Sequence, residues 1–129
     1  MNGLLIAAPS SSSGKTVITL ALLRALKHAG HKVGSVKVGP DFIDPGFHSL
    51  ASDGACLNID GWAMRPATRA GQIARIAKDA DLMIAEGVMG LFDGAADGTG
   101  SSADLAAELG LPVILIVDVS GQSASAAAV

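Results

Sequence analysis

Five consecutive residues, Ser12-Ser13-Gly14-Lys15-Thr16, carry what is needed to hold a polyphosphate. Gly14 has no Cβ, so the backbone there can come close to an anion. Backbone N–H groups in such a turn, and at the N-terminus of a helix that follows it, point at one spot and favour negative charge. Lys15 adds a full positive charge toward the β- and γ-phosphates of a nucleotide, and Thr16 offers a hydroxyl to Mg²⁺. Ser12, Ser13, Gly14, Lys15, Thr16 and Val17 are therefore the candidate nucleotide-binding residues.

A second group of charged residues follows short apolar runs further along. Lys37 precedes Val38-Gly39-Pro40-Asp41-Phe42-Ile43-Asp44, and Glu86 follows Leu82-Met83-Ile84-Ala85. A carboxylate directly after a buried strand stands at the Walker B position, where it helps to hold Mg²⁺ at the phosphates. The candidate catalytic set is Lys15, Lys37, Asp41 and Glu86, with Thr16, Asp41 and Glu86 as metal ligands. Asp44 and Asp93 are weaker candidates, because acids in Gly- and Pro-rich loops are often turn formers. A loop histidine such as His48 is usually structural, but beside a phosphate site it can meet a substrate carboxylate. Together these groups would neutralise a γ-phosphate for in-line attack. There is no Ser-His or His-Cys constellation of recognisable spacing and no Cys-x-x-Cys pair. The chemistry is then phosphoryl transfer to a bound acceptor or to water, and the residues alone do not choose.

These groups need elements to position them. The residues at 3–8 read as a buried strand and those at 15–28 as a helix, with Val17, Ile18, Ala21, Leu22, Ala25 and Leu26 as its apolar stripe. Gly30 sits where a C-capping glycine belongs. Strands are expected at 33–38, 82–85 and 113–117, a helix at 68–79 with Ile73, Ile76 and Ala77 inward, and a helix capped by Ser101 or Ser102 running to Leu109. The residues at 39–66 have no period and read as a long functional loop, and those at 87–100 as a glycine-rich loop. After Ser120 the run of small residues reads as the start of another helix. Alternation of strands and helices predicts an α/β fold, a P-loop NTPase-like doubly wound, mostly parallel sheet with flanking helices. A loop bearing Gly14-Lys15-Thr16 between the first strand and first helix is the setting a P-loop requires. One departure stands out: Pro9 occupies the place of the motif's first glycine, and Ser10 to Ser13 contain none.

Composition narrows the field. The 129 residues are half hydrophobic without tyrosine, which suits one compact domain with an aliphatic core. A net charge of −3 without any Lys/Arg cluster argues against nucleic-acid binding. No apolar run reaches about 18 residues, so no membrane span is expected. The start lacks the basic segment of a signal peptide, and a cytoplasmic location is expected. The single cysteine, Cys56, excludes an internal disulfide and reads as an ordinary thiol.

The segments APSSSSGKT, VKVGPDFIDPGFH, NIDGW, AEGVMGLFDG and SSADLA together resemble the cobyrinic acid or hydrogenobyrinic acid a,c-diamide synthase family over nearly the whole chain. GPDFIDPGFH and EGVMGLFDG are the specific parts; dethiobiotin synthetase and cobyric acid synthase differ after the strand-two lysine. The resemblance implies an enzyme that uses ATP and Mg²⁺ to phosphorylate the c and then the a acetate of a corrinoid substrate. Ammonia then attacks each acyl phosphate. It implies glutamine-derived ammonia from a C-terminal glutamine amidotransferase domain, and residues 1–129 as the N-terminal part of the ATP-binding synthetase domain, incomplete alone. On this resemblance Gly14, Lys15 and Thr16 bind phosphates and metal, Glu86 is a metal ligand, and Lys37 stabilises phosphate charge. Asp41, Asp44 and Asp93 match acidic positions linked to substrate or metal, and His48 stays a substrate-binding candidate on its place in the loop. Relatives of this fold often pair, and a homodimer is compatible with the residues. Family members usually place glycine at position 12, so Ser12 is expected to strain the loop by roughly 1 kcal/mol and to weaken nucleotide binding without abolishing it.

Two other readings compete. A dethiobiotin-synthetase-like ligase is opposed by the residues at 39–48. A partitioning-type ATPase acting as a binding module usually carries a second lysine early in the phosphate loop, and Ser10 to Ser13 supply none.

Overall fold

The computed structural model describes residues 2–129. Its elements are β1 (Asn2–Ala7), α1 (Lys15–His28), β2 (Val33–Val38), α2 (Asp44–Ser52), β3 (Cys56–Ile59), α3 (Pro66–Ala77), β4 (Leu82–Glu86), α4 (Ser102–Leu109), β5 (Val113–Leu115) and a 3-10 turn (Ala124–Ala128). The strands form one sheet, all parallel, in the order β3-β2-β4-β1-β5. This is the doubly wound α/β architecture that the alternating pattern predicts.

Side chains alternate across the sheet with the period of two that a strand imposes. Leu5, Ala7, Met83 and Ala85 pack with Ile76 of α3 and Leu105 of α4 on one face. Ile6 and Ile84 pack with Leu23 of α1 on the other, where α2 also lies. By the same alternation Lys37 and Glu86 project from β2 and β4 toward the α1/α2 face. The register pairs them directly, Lys37 opposite Glu86. The chain leaves β1 for α1 on one face and leaves the adjacent β4 for α4 on the other. The crevice between two such diverging exits is where ligands bind in open α/β sheets.

Four expectations need correction. The residues at 39–66 are not one long loop: α2 and β3 lie within it, so the sheet has five strands rather than four. The apolar stripe of α1 is rotated from the one predicted, because Val17 and Ile18 are exposed and the buried residues are Lys15, Thr19 and Leu23. The need to turn Lys15 inward sets this rotation, since residues four apart share a helix face. In α3, Ile76 is buried and Ile73 partly so, but Ala77 faces out. The last helix is a short 3-10 turn, not an α-helix.

Ser101 does cap α4. Its side chain accepts the Asp104 N–H at 3.1 Å while Asp104 accepts the Ser101 N–H at 3.0 Å, a reciprocal capping box. Among the described residues no helix is long and apolar enough to cross a membrane.

Candidate nucleotide and phosphoryl-transfer site

The loop after β1 turns through two left-handed residues, Ser12 at φ 63° and Gly14 at φ 90°. Gly14 takes that conformation freely; Ser12 does not. Its neighbours knit the turn, with Ser13 Oγ donating to the Ser10 carbonyl at 3.0 Å. No side chain caps α1, so its first N–H groups open onto a cleft of about 270 Å³ lined by Ser12, Gly14, Lys15, Thr16 and Val17. These five, with Ser13 behind them, are the predicted nucleotide-binding residues, and they come together.

Lys15 is buried, and its ammonium donates to the Ser10 carbonyl at 3.1 Å and the Met89 carbonyl at 2.8 Å. Burial pulls its pKa below the ordinary lysine value; nearby Lys37 adds to this, while Glu86 and Asp93 oppose it. Met89 is itself at φ 52°, so a strained residue after β4 presents the carbonyl that fixes the lysine.

At the centre lies Glu86, fully buried, with both oxygens engaged. Oε1 accepts from Thr16 Oγ1 at 2.6 Å and from Lys37 Nζ at 2.8 Å; Oε2 lies 2.7 Å from His48 Nε2. Burial alone would raise its pKa, but the hydrogen bonds from His48, Lys37 and Thr16 overturn this and hold it down to about 2. Lys37 also reaches Asp44 Oδ2 at 2.6 Å, and Thr16 Oγ1 reaches the same oxygen at 3.3 Å. Despite its burial, these two carboxylates raise the pKa of Lys37.

The acids divide differently from the sequence expectation. Asp41 Oδ1 accepts the N–H groups of Ile43 and Asp44 at 2.9 and 3.0 Å, at the start of α2, and Oδ2 stays 3.7 Å from Lys37. Asp44, the weaker candidate, stands nearer the centre than Asp41. His48 is not open to a substrate: it is 0% exposed, with Nε2 on Glu86 and Nδ1 3.5 Å from Cys56 Sγ. Burial pulls its pKa down, but contact with Cys56 and Glu86 wins and pushes it up to about 9. Asp93 is exposed on the loop after β4, where its Oδ2 accepts the Gly90 N–H at 2.7 Å.

Three contributors were not foreseen. They are the Met89 carbonyl, the Cys56 thiol behind His48, and Asn58, whose Nδ2 donates to the Gly39 and Asp41 carbonyls at 3.0 and 2.6 Å. Asn58 begins the NIDGW segment, which gives its position but not its role; a main-chain carbonyl leaves no trace in residue type.

The oxygens of Thr16, Asp44 and Glu86 lie together beside the phosphate loop, with Lys37 Nζ between the two carboxylates, and are of the hard type that a cation beside phosphates takes. The chain is also similar to known proteins. The chain is 58% identical over 128 residues to the hydrogenobyrinate a,c-diamide synthase of Rhizobium meliloti (strain 1021), covering 99% of this chain and 30% of that protein. It is 57% identical over 129 residues to the same-named protein of Brucella anthropi, again 99% and 30%, and 54% identical over 129 residues to that of Mesorhizobium japonicum, 98% and 29%. The chain thus spans about 30% of the length of these relatives. Residues 4–127, which include the phosphate loop, Lys37, Asp44 and Glu86, match one nucleotide-binding family, and the chain belongs to it: the CobQ/CobB/MinD/ParA nucleotide binding domain.

Proposed function

We propose that this chain is the ATP-binding part of a ligase that amidates the c and then the a acetate of cobyrinic or hydrogenobyrinic acid through acyl phosphates. The observation that carries the proposal is the 58% identity, over 128 residues, to a protein named for a,c-diamide formation. An acetate oxygen of the acceptor attacks the γ-phosphorus in line, ADP leaves, and an acyl phosphate forms. Ammonia then attacks the acyl carbon and expels phosphate. The ammonia comes from glutamine, hydrolysed in a C-terminal glutamine amidotransferase domain.

In this reading the N–H groups at the start of α1 bind the phosphate chain, and Lys15 and Lys37 balance charge as it shifts toward the leaving oxygen. Bound Mg²⁺ would supply further neutralisation of the phosphate charge. Thr16 and Asp44 would be its direct ligands, while Glu86 accepts the hydrogen bond of the Thr16 hydroxyl and so leaves a hydroxyl lone pair free. Asp41 serves by holding the turn that carries Asp44.

The test uses the whole protein that contains this domain, with ATP, Mg²⁺, glutamine and either corrinoid acid, following product mass. Two successive changes from acid to amide are expected, with Glu86→Gln lowering the rate by about 100-fold or more. ATP hydrolysis indifferent to the corrinoid would replace the ligase with a nucleotide-switched partitioning ATPase. Turnover of a diamine with CO₂ instead would point to a dethiobiotin-synthetase-like enzyme.

A further inference from the structure

A second hollow of about 180 Å³ adjoins the phosphate cleft, walled by Pro40 after β2, Trp62 after β3, and Val88 and Met89 after β4. Met89 joins the two spaces, since its carbonyl also receives the Lys15 ammonium. The two acids on the rim, Asp60 and Asp93, are each tied to backbone N–H groups of their own loops. The wall is therefore mainly apolar, and lysine charge waits at one end.

Trp62 is the chain's one tryptophan, and 67% of it is exposed. The turn that carries it is nevertheless firmly built. Asp60 Oδ1 accepts the N–H groups of Trp62 and Ala63, both at 2.9 Å. Arg69 donates to the Met64 carbonyl at 2.6 Å and is itself clamped by both oxygens of Glu108, at 3.0 and 2.7 Å. Gly100, at φ 77°, backs the turn so closely that a Cβ there would come within 2.9 Å of the Trp62 backbone. Residues from α3, α4 and the loop after β4 thus fix the backbone that carries an indole contributing little to the core. An exposed aromatic face on a fixed turn beside a phosphate site is suited to a flat apolar ligand.

The position decides which flat ligand. A nucleotide's α-phosphate end belongs to the N–H groups of Gly14 to Val17, and its γ end to the Lys15 ammonium. The hollow at Met89 lies beyond that ammonium, on the γ side, where the acceptor must come and the adenine does not. We propose that Trp62 is the platform on which the acceptor's ring system lies, so that an acetate arm points to Lys15 and Lys37. This rests on the ligase reading and adds to it a specificity-determining residue that touches the substrate.

The experiment is steady-state kinetics of the whole enzyme with Trp62→Ala, Trp62→Leu and Trp62→Phe, varying corrinoid acid and ATP separately. Loss of an aromatic stacking face predicts a rise in corrinoid KM of about ten-fold or more in Trp62→Ala. Trp62→Leu should behave like it, Trp62→Phe should keep most of the affinity, and the KM for ATP should stay within about two-fold, which also reports a folded enzyme. A corrinoid KM unmoved in Trp62→Ala and Trp62→Leu overturns the platform and leaves the ligase standing. A rise confined to ATP overturns it in favour of adenine. A wild-type enzyme without corrinoid-dependent turnover removes both readings. Should Trp62→Ala fail to fold, the Leu and Phe pair decides alone.

Discussion

Ser12 holds a left-handed backbone that suits glycine, and the strain foreseen from residue type is present at φ 63°. A side chain there costs roughly 1 kcal/mol, which draws the free loop away from the conformation that cradles phosphate. Ser12→Gly should tighten ATP binding about five-fold by calorimetry in the presence of Mg²⁺; unchanged or weaker affinity would refute the argument. His48 plays a different part from the one its position in a polar segment suggested. It lies behind Glu86 and satisfies the oxygen that Thr16 and Lys37 do not. Removing one partner of a buried charged pair typically costs about 3 kcal/mol or more. His48→Ala should therefore lower the unfolding free energy by about that much in urea, and a loss below about 0.5 kcal/mol would show that Glu86 needs no such partner. The phosphate-loop residues, Lys37 and Glu86 were legible because their chemistry depends on residue type and spacing. The ranking of Asp44 against Asp41 was not, because it depends on which of two neighbouring carboxylates turns back onto the chain.

At the scale of elements, α1 and α2 share a property that hid them in different ways. Both bury polar residues spaced by four: Lys15 and Thr19 in α1, where Leu23 follows, and His48 and Ser52 in α2. Meanwhile Val17, Phe47 and Leu50 face outward. Hydrophobic periodicity therefore reads α1 with the wrong face inward, and α2, which also has Pro45 and Gly46 in its first turn, does not register at all. Both helices cover the face that bears Lys37 and Glu86, so a polar inner surface is what the site requires of them. On the opposite face α3 and α4 bury Ile76 and Leu105, and there the pattern was readable. β3 escaped notice because it has four residues at the sheet edge. The cap of α4 was legible, since Ser101 and Asp104 form a recognised spacing. Ser101→Ala should cost about 1 kcal/mol, seen as a lower urea midpoint at unchanged slope; no shift would mean that the buried end of α4 is held by packing alone.

For the whole molecule, alternation of strands and helices announced the sheet, but not the insertion of β4 between β1 and β2, which no local signal encodes. That insertion brings the phosphate loop, Lys37 and Glu86 to adjacent strand ends. The resulting charge cluster also sets how stability responds to pH. Glu86 has a folded pKa of about 2, below its ordinary 4.5, so its contribution is complete above about pH 4.5 and is lost as pH falls toward 2. His48 has a folded pKa of about 9, above its ordinary 6.5, so its contribution is complete below about pH 6.5 and is lost as pH rises through 9. Urea midpoints should peak between these limits and fall on both sides; Glu86→Gln should flatten the acid limb. A midpoint constant from pH 4.5 to 9 would contradict the assigned couplings.

The direct pairing of Lys37 with Glu86 has a consequence for how the sheet is checked during folding. A slip of β2 by one residue against β4 would send Lys37 to the apolar face beneath α3 and leave Glu86 without its ammonium. Such a mispaired chain would bury the Lys37 charge alone on the apolar face, strip Glu86 of one of its two cationic partners and take Lys37 away from the phosphate loop. A nucleotide then stabilises the in-register chain more than the mispaired one, by mass action, and draws the population toward it. In that sense the ligand proofreads the strand pairing that creates its own binding site.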